Sequence, residues 1–188
     1  YATLQLSDIP PERVVGSGTA LDTARFRFEL SDHCGLDPRN VHAYILGEHG
    51  DSEVPIWSRA NVAGVPLSEF CRMCGECEEP EEEHREVFER VKTAAYDIIR
   101  LKGATYYAIG MGSTRLSQAI VRDQNTILTA STLLQGQYGI EDVCMSLPVV
   151  LGRKGVRMVV EMPLTDGETR DLQESASVLR EALDSVGF

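Results

Sequence analysis

A chain of 188 residues fits one ordinary domain and is long enough to bury a real core. Its apolar fraction of 43% and charged fraction of 25% are those of a folded globular protein, which excludes general disorder. Lys and Arg number 18 against 29 Asp and Glu, a formal net charge of −11, and this argues against nucleic acid or an anionic membrane as the main partner. A local pair of arginines can still outweigh a distant acidic surface, so a small anionic substrate is compatible with that charge. Apolar stretches such as Cys144–Leu151 are far too short to span a bilayer, and Tyr1–Arg13 lacks a basic-then-apolar signal pattern. The expectation is a soluble, cytoplasmic protein. The 5 cysteines (Cys34, Cys71, Cys74, Cys77 and Cys144), an odd number, fit reduced thiols in such a compartment.

Along the chain, Gly18-Thr19 precede a helix over Ala20–His33, with Gly35 placed as its C-terminal cap. Asn40–Gly47 reads as a strand, because Val41, Ala43 and Ile45 alternate with His42, Tyr44 and Leu46. It runs into the charged turn Gly47–Asp51. A long helix then starts near Pro80, carries acidic residues in its first turns, and stops at Lys102-Gly103. Its apolar stripe is Val87, Val91, Ala94, Ile98 and Leu101. A third helix is expected from about Ser113 to Leu134. Cys144–Leu151 and Val156–Glu161 form a hairpin about Gly152–Gly155. A last helix shows Leu172, Ala176, Leu179 and Leu183 on one face, capped by Thr165 or Asp166. Long helices around antiparallel hairpins, without strict βαβ alternation, predict an α+β layer fold.

No complete G-x-G-x-x-G occurs: Gly16-Ser17-Gly18 is followed by Leu21, and Gly110-Met111-Gly112 by Arg115. A dinucleotide fingerprint needs small residues at all three places for close approach to the pyrophosphate. The chain therefore lacks a self-contained nucleotide site.

The residues able to do chemistry lie in Leu21-Asp22-Thr23-Ala24-Arg25-Phe26-Arg27 and around His49. On a helix Asp22 and Arg25 share a face, whereas Arg27 is turned roughly 200° from Arg25. Taken alone, Asp22 and Arg25 read as a surface ion pair worth little. His49 sits in a glycine-rich turn after a strand, a place that aims a side chain into a cleft. An Asp22 carboxylate on one ring nitrogen would fix the tautomer and stabilise the imidazolium, and Arg25 could grip a carboxylate with a two-bond fork. An Asp–His pair beside such an Arg suits reduction of a 2-oxo acid.

Val14-Val15-Gly16-Ser17-Gly18-Thr19, the Leu21–Arg27 segment, and Leu46-Gly47-Glu48-His49-Gly50-Asp51-Ser52 together closely resemble the L-lactate dehydrogenases. The likeness continues through Leu101-Lys102-Gly103-Ala104-Thr105 and the Leu151–Gly155 hairpin to the last helix, over essentially the whole chain. The resemblance implies that His49 is the proton donor and acceptor, Asp22 its orienting carboxylate, and Arg25 the substrate-carboxylate ligand. It places Asp22, Thr23, Ala24, Arg25 and Thr105 at the substrate, and Ser17 and Ile109 beside the nicotinamide of NAD. It implies pyruvate and L-lactate as reactants and a homotetramer as the assembly. In bacterial, allosterically activated members fructose 1,6-bisphosphate lies between an Arg and a His, and Arg27 and His42 match them. The turn Gly47-Glu48-His49-Gly50-Asp51 resembles lactate rather than malate enzymes, which usually carry a second Gly in place of Glu48.

The family's N-terminal Rossmann half, with its Gly-rich loop and mobile lid, has no counterpart here. Residues 1–188 are thus expected to be the C-terminal substrate-binding and catalytic domain, and hydride transfer by this piece alone is not expected. The alternatives are a piece of a malate or L-2-hydroxyisocaproate dehydrogenase, or a non-catalytic module that binds sugar phosphate or oligomerises. Cys71-x-x-Cys74-x-x-Cys77, with His84 as a conceivable fourth ligand, resembles the start of a metal-binding run. It is read as a loop without metal, and no metal is expected elsewhere.

Overall fold

In the computed structural model, which describes residues 1–75 and 80–188, a single helical turn α1 (Ala2–Gln5) and a 3-10 turn at Pro11–Arg13 lead to α2 (Ala20–His33). Helix α2 stops where expected. Cys34 is its cap and Gly35 follows with φ +62°, a left-handed conformation that glycine adopts without a Cβ penalty. Asp22, Phe26 and Leu30 are four apart on α2 and all buried, so the row that enters the core begins with a carboxylate.

The expected strand over Asn40–Gly47 is two strands in two sheets. After a 3-10 turn at Pro38–Asn40, β1 (Val41–His42) pairs with β4 (Asn61–Val62), whereas β2 (Ile45–Leu46) pairs with β3 (Val54–Pro55). The chain changes partners at Ala43 and Tyr44. There the Ala43 carbonyl accepts from Arg27 Nε at 3.0 Å and the Tyr44 carbonyl accepts from the Ile56 N–H at 2.9 Å. The alternation holds only as far as Ile45: Val41, Ala43 and Ile45 are buried and His42 is exposed, but Leu46, expected on the outward side, is fully buried.

The cysteine run is not a loop in its first part. After β5 (Val65–Pro66), Cys71 and Cys74 lie on helix α3 (Leu67–Cys74), which ends at Gly75 with φ +72°; Cys77 lies outside the described residues. Helix α4 (Pro80–Lys102) has the expected bounds, with Val87 and Val91 buried against α2. Its stripe fades toward the C-terminus, where Leu101 is exposed. Trp57 packs edge-on to Phe26 at 4.8 Å and stacks on His84 at 4.5 Å.

The third helix is shorter than expected. α5 spans Tyr107–Val121, and Thr126–Gln135 forms strand β6. Asp123 and Asn125 take left-handed φ values of 51° and 49°, which stops the helix, and the Thr- and Ile-containing segment beyond suits a pleated strand. β6 pairs antiparallel with β7 (Glu141–Gly152), which turns through Gly152–Gly155 into β8 (Gly155–Val159), as the expected hairpin. Helix α6 (Asp166–Ser185) has Thr165 as its cap in a complete capping box with Glu168, and it packs Leu172 and Ala176 toward β7. All described strand pairs are antiparallel, so the domain is α+β.

Two backbone bridges position the site. Gly16 pairs with Ser131 of β6, Gly47 pairs with Ser146 of β7, and Ser131 and Ser146 are themselves cross-strand partners. One row across the sheet therefore fixes both the segment entering α2 and the turn carrying His49.

Candidate active site

Thr19 locks the start of α2. Fully buried, it donates its N–H to Ser146 Oγ at 2.9 Å and its hydroxyl to the Ile45 carbonyl at 2.6 Å. Asp22 thereby sits in the first turn of α2, where the helix dipole favours a carboxylate. The turn after β2 is held as firmly. Gly47 has φ +94°, and a Cβ there would meet Ser175 Oγ of α6 at 2.7 Å. The Glu48 N–H donates to that same Ser175 Oγ at 2.9 Å, while the Glu48 carboxylate accepts from the Ser52 N–H and hydroxyl and closes the turn.

These two supports bring His49 Nδ1 to 2.6 Å from Asp22 Oδ2. Asp22 Oδ1 is 3.4 Å from Arg25 Nη1, so one buried carboxylate serves both cations. The Asp22 hydrogen bond raises the pKa of His49, working against burial, which lowers it. A proton on Nδ1 directed at Asp22 leaves Nε2 of the half-exposed ring to exchange one. The pair opens into a cavity of about 220 Å³ that Asp51, Glu53 and Lys92 also line.

Glu53 was not legible as a site residue. It is 8% exposed, and its carboxyl is pushed up to about 8, chiefly by burial and then by the Asp22 charge. Its ligand atom lies within 4.8 Å of those of Asp22 and His49. The sequence offers one faint signal, an acid placed directly before the apolar Val54-Pro55-Ile56. Lys92 was missed because it adjoins, rather than belongs to, the α4 stripe.

Arg27 leaves the opposite side of α2, as its spacing requires. It donates to the carbonyl of Ala43, the residue after the exposed His42, with its guanidinium 5.1 Å from the Tyr44 ring centre. It also lines a second cavity of about 540 Å³, together with Thr23, Ala24 and Arg115. Thr23 and Ala24 thus face that cavity and not the His49 cleft. The Thr23 hydroxyl accepts from the Ile45 N–H at 3.0 Å and from Thr129 Oγ1 at 3.0 Å, which ties α2 to β2 and β6. Thr105 lies on the link between α4 and α5 and is not among the lining of either cavity. Ser17, just before α2, and Ile109, on α5, are both half-buried. Tyr106 and Tyr107, on either side of the start of α5, are exposed, and their ring centres lie 3.6 and 3.8 Å from Lys102 Nζ.

The sequence profile of the lactate/malate dehydrogenase alpha/beta C-terminal domain matches residues 19–187. The chain is 50% identical over 186 residues to the L-lactate dehydrogenase of Acetivibrio thermocellus, covering 99% of this chain and 58% of that protein. It is 52% identical over 188 residues to the L-lactate dehydrogenase of Gloeobacter violaceus, covering all of this chain and 57% of that one. Among solved structures, a lactate dehydrogenase from a Medee basin deep-sea metagenome library superposes with a TM-score of 0.95 at 44% identity, over 100% of this chain and 60% of that one. The minor L-lactate dehydrogenase of Enterococcus mundtii, in its ligands-bound form, gives 0.92 at 43% identity, over 98% and 58%. The chain therefore spans under two thirds of the length of these relatives. With the profile spanning nearly the whole chain and the Asp22–His49–Arg25 set in place, the chain belongs to the lactate/malate dehydrogenase family, as its alpha/beta C-terminal domain.

Proposed function

We propose that residues 1–188 are the substrate-binding and catalytic half of a cytoplasmic, NAD-dependent L-lactate dehydrogenase that interconverts pyruvate and L-lactate. The observation that carries this reading is the Asp22 carboxylate, which meets His49 Nδ1 on one oxygen and Arg25 on the other. Arg25 binds the substrate carboxylate and so turns the 2-oxo group toward His49. His49, charged on Nε2 and backed by Asp22, gives its proton to the carbonyl oxygen as the alcohol forms, and takes it back in the reverse direction. Asp22 keeps the tautomer and offsets the positive charge that appears on the ring.

NAD supplies or accepts the hydride when bound. Of this chain's residues, Ser17 and Ile109 would hold its nicotinamide end: both are half-buried, one offering a hydroxyl and the other an apolar contact to a flat ring. The family's nucleotide-binding half would hold the rest. The whole enzyme would be a homotetramer, with fructose 1,6-bisphosphate bound at Arg27 and His42. Support for that second anion site is Arg27 leaving α2 opposite Arg25 and lying beside the strand that carries His42.

The test joins this chain to the nucleotide-binding half of its Acetivibrio thermocellus relative and follows NADH oxidation with pyruvate, oxaloacetate and branched 2-oxo acids. Turnover on pyruvate that His49→Gln abolishes is the expected result, and fructose 1,6-bisphosphate should raise it unless Arg27 is replaced. Preference for oxaloacetate or a branched acid, or turnover unaffected by His49→Gln, overturns the reading.

A further inference from the structure

The cleft contains a buried carboxyl that the acid–base pair does not use. Glu53 is 8% exposed and lines the same cavity as Asp22, Arg25 and His49, and its carboxyl has no hydrogen bond among the described residues to compensate its burial. An ionised carboxylate in that position forfeits much of its hydration and gains no donor in return, and it stands within 4.8 Å of the Asp22 carboxylate and the His49 ring nitrogen, one of them already negative. We infer that Glu53 is a proton-gated positioning residue acting through His49: neutral, it leaves the His49 and Arg25 charges to the substrate carboxylate, and ionised, it competes for them. This rests on the acid–base reading of the site proposed above.

The groups facing Glu53 decide the balance. Helix α2 presents Asp22 and Arg25, the turn presents His49 and Asp51, and α4 presents Lys92 and Tyr96. Burial is the largest influence and favours the neutral acid. Asp22 adds to it, while His49, Lys92 and Arg25 oppose it, with a net midpoint of about 8. With the His49 ring protonated, Asp22 and Asp51 set two negative charges against three cations, Arg25, Lys92 and the His49 imidazolium, and one positive charge is left to attract a monocarboxylate. Loss of the Glu53 proton to solvent cancels it. Anion binding then weakens even though the imidazolium is itself held more tightly, a split that a structural role for Glu53 does not produce.

The test uses the 188-residue chain with labelled Glu side-chain carboxyls and His rings, titrated by NMR as the wild type, Glu53→Gln, Glu53→Asp and Asp22→Asn. The Glu53 carboxyl of the wild type should titrate near 8, with a matching inflection in the His49 ring signals. Glu53→Gln should remove that inflection and lower the His49 midpoint, and Glu53→Asp should restore part of both. A Glu53 midpoint in the ordinary carboxyl range, or a His49 curve unchanged by Glu53→Gln, overturns the inference; the first is read on the wild type and needs no variant to fold. Asp22→Asn separates the two readings. If it leaves His49 unmoved, the acid–base reading fails; if it lowers the His49 midpoint and Glu53→Gln does not, only the role of Glu53 fails.

Discussion

Ser131 and Ser146 face each other across β6 and β7, and each bonds outward to a glycine of the site. Gly16 and Ser131 exchange backbone hydrogen bonds at 2.9 and 3.0 Å, and Gly47 and Ser146 exchange two at 2.9 Å. The row Gly16–Ser131–Ser146–Gly47 extends the sheet by one residue on each side. It thereby sets the distance between two segments far apart in sequence, one leading to Asp22 and the other to His49. The acid–base geometry is thus a property of strand register, which a one-residue slip would destroy.

Ser146→Ala tests this row without touching the catalytic side chains. The fully buried Thr19 N–H would lose its acceptor, at a cost of about 1–3 kcal/mol. A fall in Tm of several degrees is expected, together with a His49 midpoint moved toward that of an ordinary histidine as the start of α2 loosens. Unchanged stability and an unchanged His49 titration would show that the backbone bridges alone set the geometry.

Gly47 and Ser175 form a close-packed pair in which each limits the other. Gly47→Ala introduces both a left-handed alanine and a contact with Ser175 Oγ at 2.7 Å, for an expected loss of about 2–4 kcal/mol. Ser175→Ala leaves the Glu48 N–H without its acceptor and costs about 1–2 kcal/mol. The double variant should be more stable than the sum of the two losses predicts, because the clash vanishes with the hydroxyl. Strict additivity in denaturant unfolding would refute the contact.

Local punctuation made much of this molecule readable in advance. Gly35, Pro80, Gly103 and Thr165, one of the two caps expected, bound α2, α4 and α6 because helix ends are decided within a few residues. The Asp22–Arg25 spacing likewise survived intact, since helical geometry alone turns Arg27 away. Choices made by distant partners were not legible. Leu116, Ala119 and Ile120 run into Leu128 with a pattern that a helix could continue, and pairing with β7 makes Thr126–Gln135 a strand. The alternation in Val41–Ile45 is real, yet it stops at the buried Leu46, and β4 and β3 divide the segment between two sheets. Glu53 escaped for the same reason: its burial is created by α2 and α4, and no neighbour in sequence announces it.

Glu168 should govern part of the acid sensitivity. Burial raises its pKa, but hydrogen bonds from the Ser58 hydroxyl, the Thr165 and Ser58 N–H groups and the Thr165 hydroxyl outweigh this and leave it lowered. A lowered folded pKa contributes stability above the unfolded value of 4.5, lost as pH falls through the folded one. Glu168→Gln should therefore cost about 1–3 kcal/mol near pH 7 and less at an acid pH below 4.5, measured as unfolding midpoints. A loss equal at both pH values would mean that shape, not charge, makes Glu168 useful.

Glu53 has the opposite sign. Its folded pKa lies above the unfolded value of 4.5, at about 8, so the folded state holds a proton that the unfolded state has released. Stability tied to it is complete below 4.5 and is lost as pH rises through about 8. Glu53→Gln keeps the neutral shape and removes the titration. It should match the wild type near pH 4 and exceed it by a few kcal/mol near pH 9, with the gap opening between those values. Urea unfolding across that range measures the gap directly. A constant gap would place Glu53 among ordinary carboxylates, whereas a widening one would show that the chain gives up stability at neutral pH to keep a carboxyl beside His49, a cost that a purely structural position would not retain.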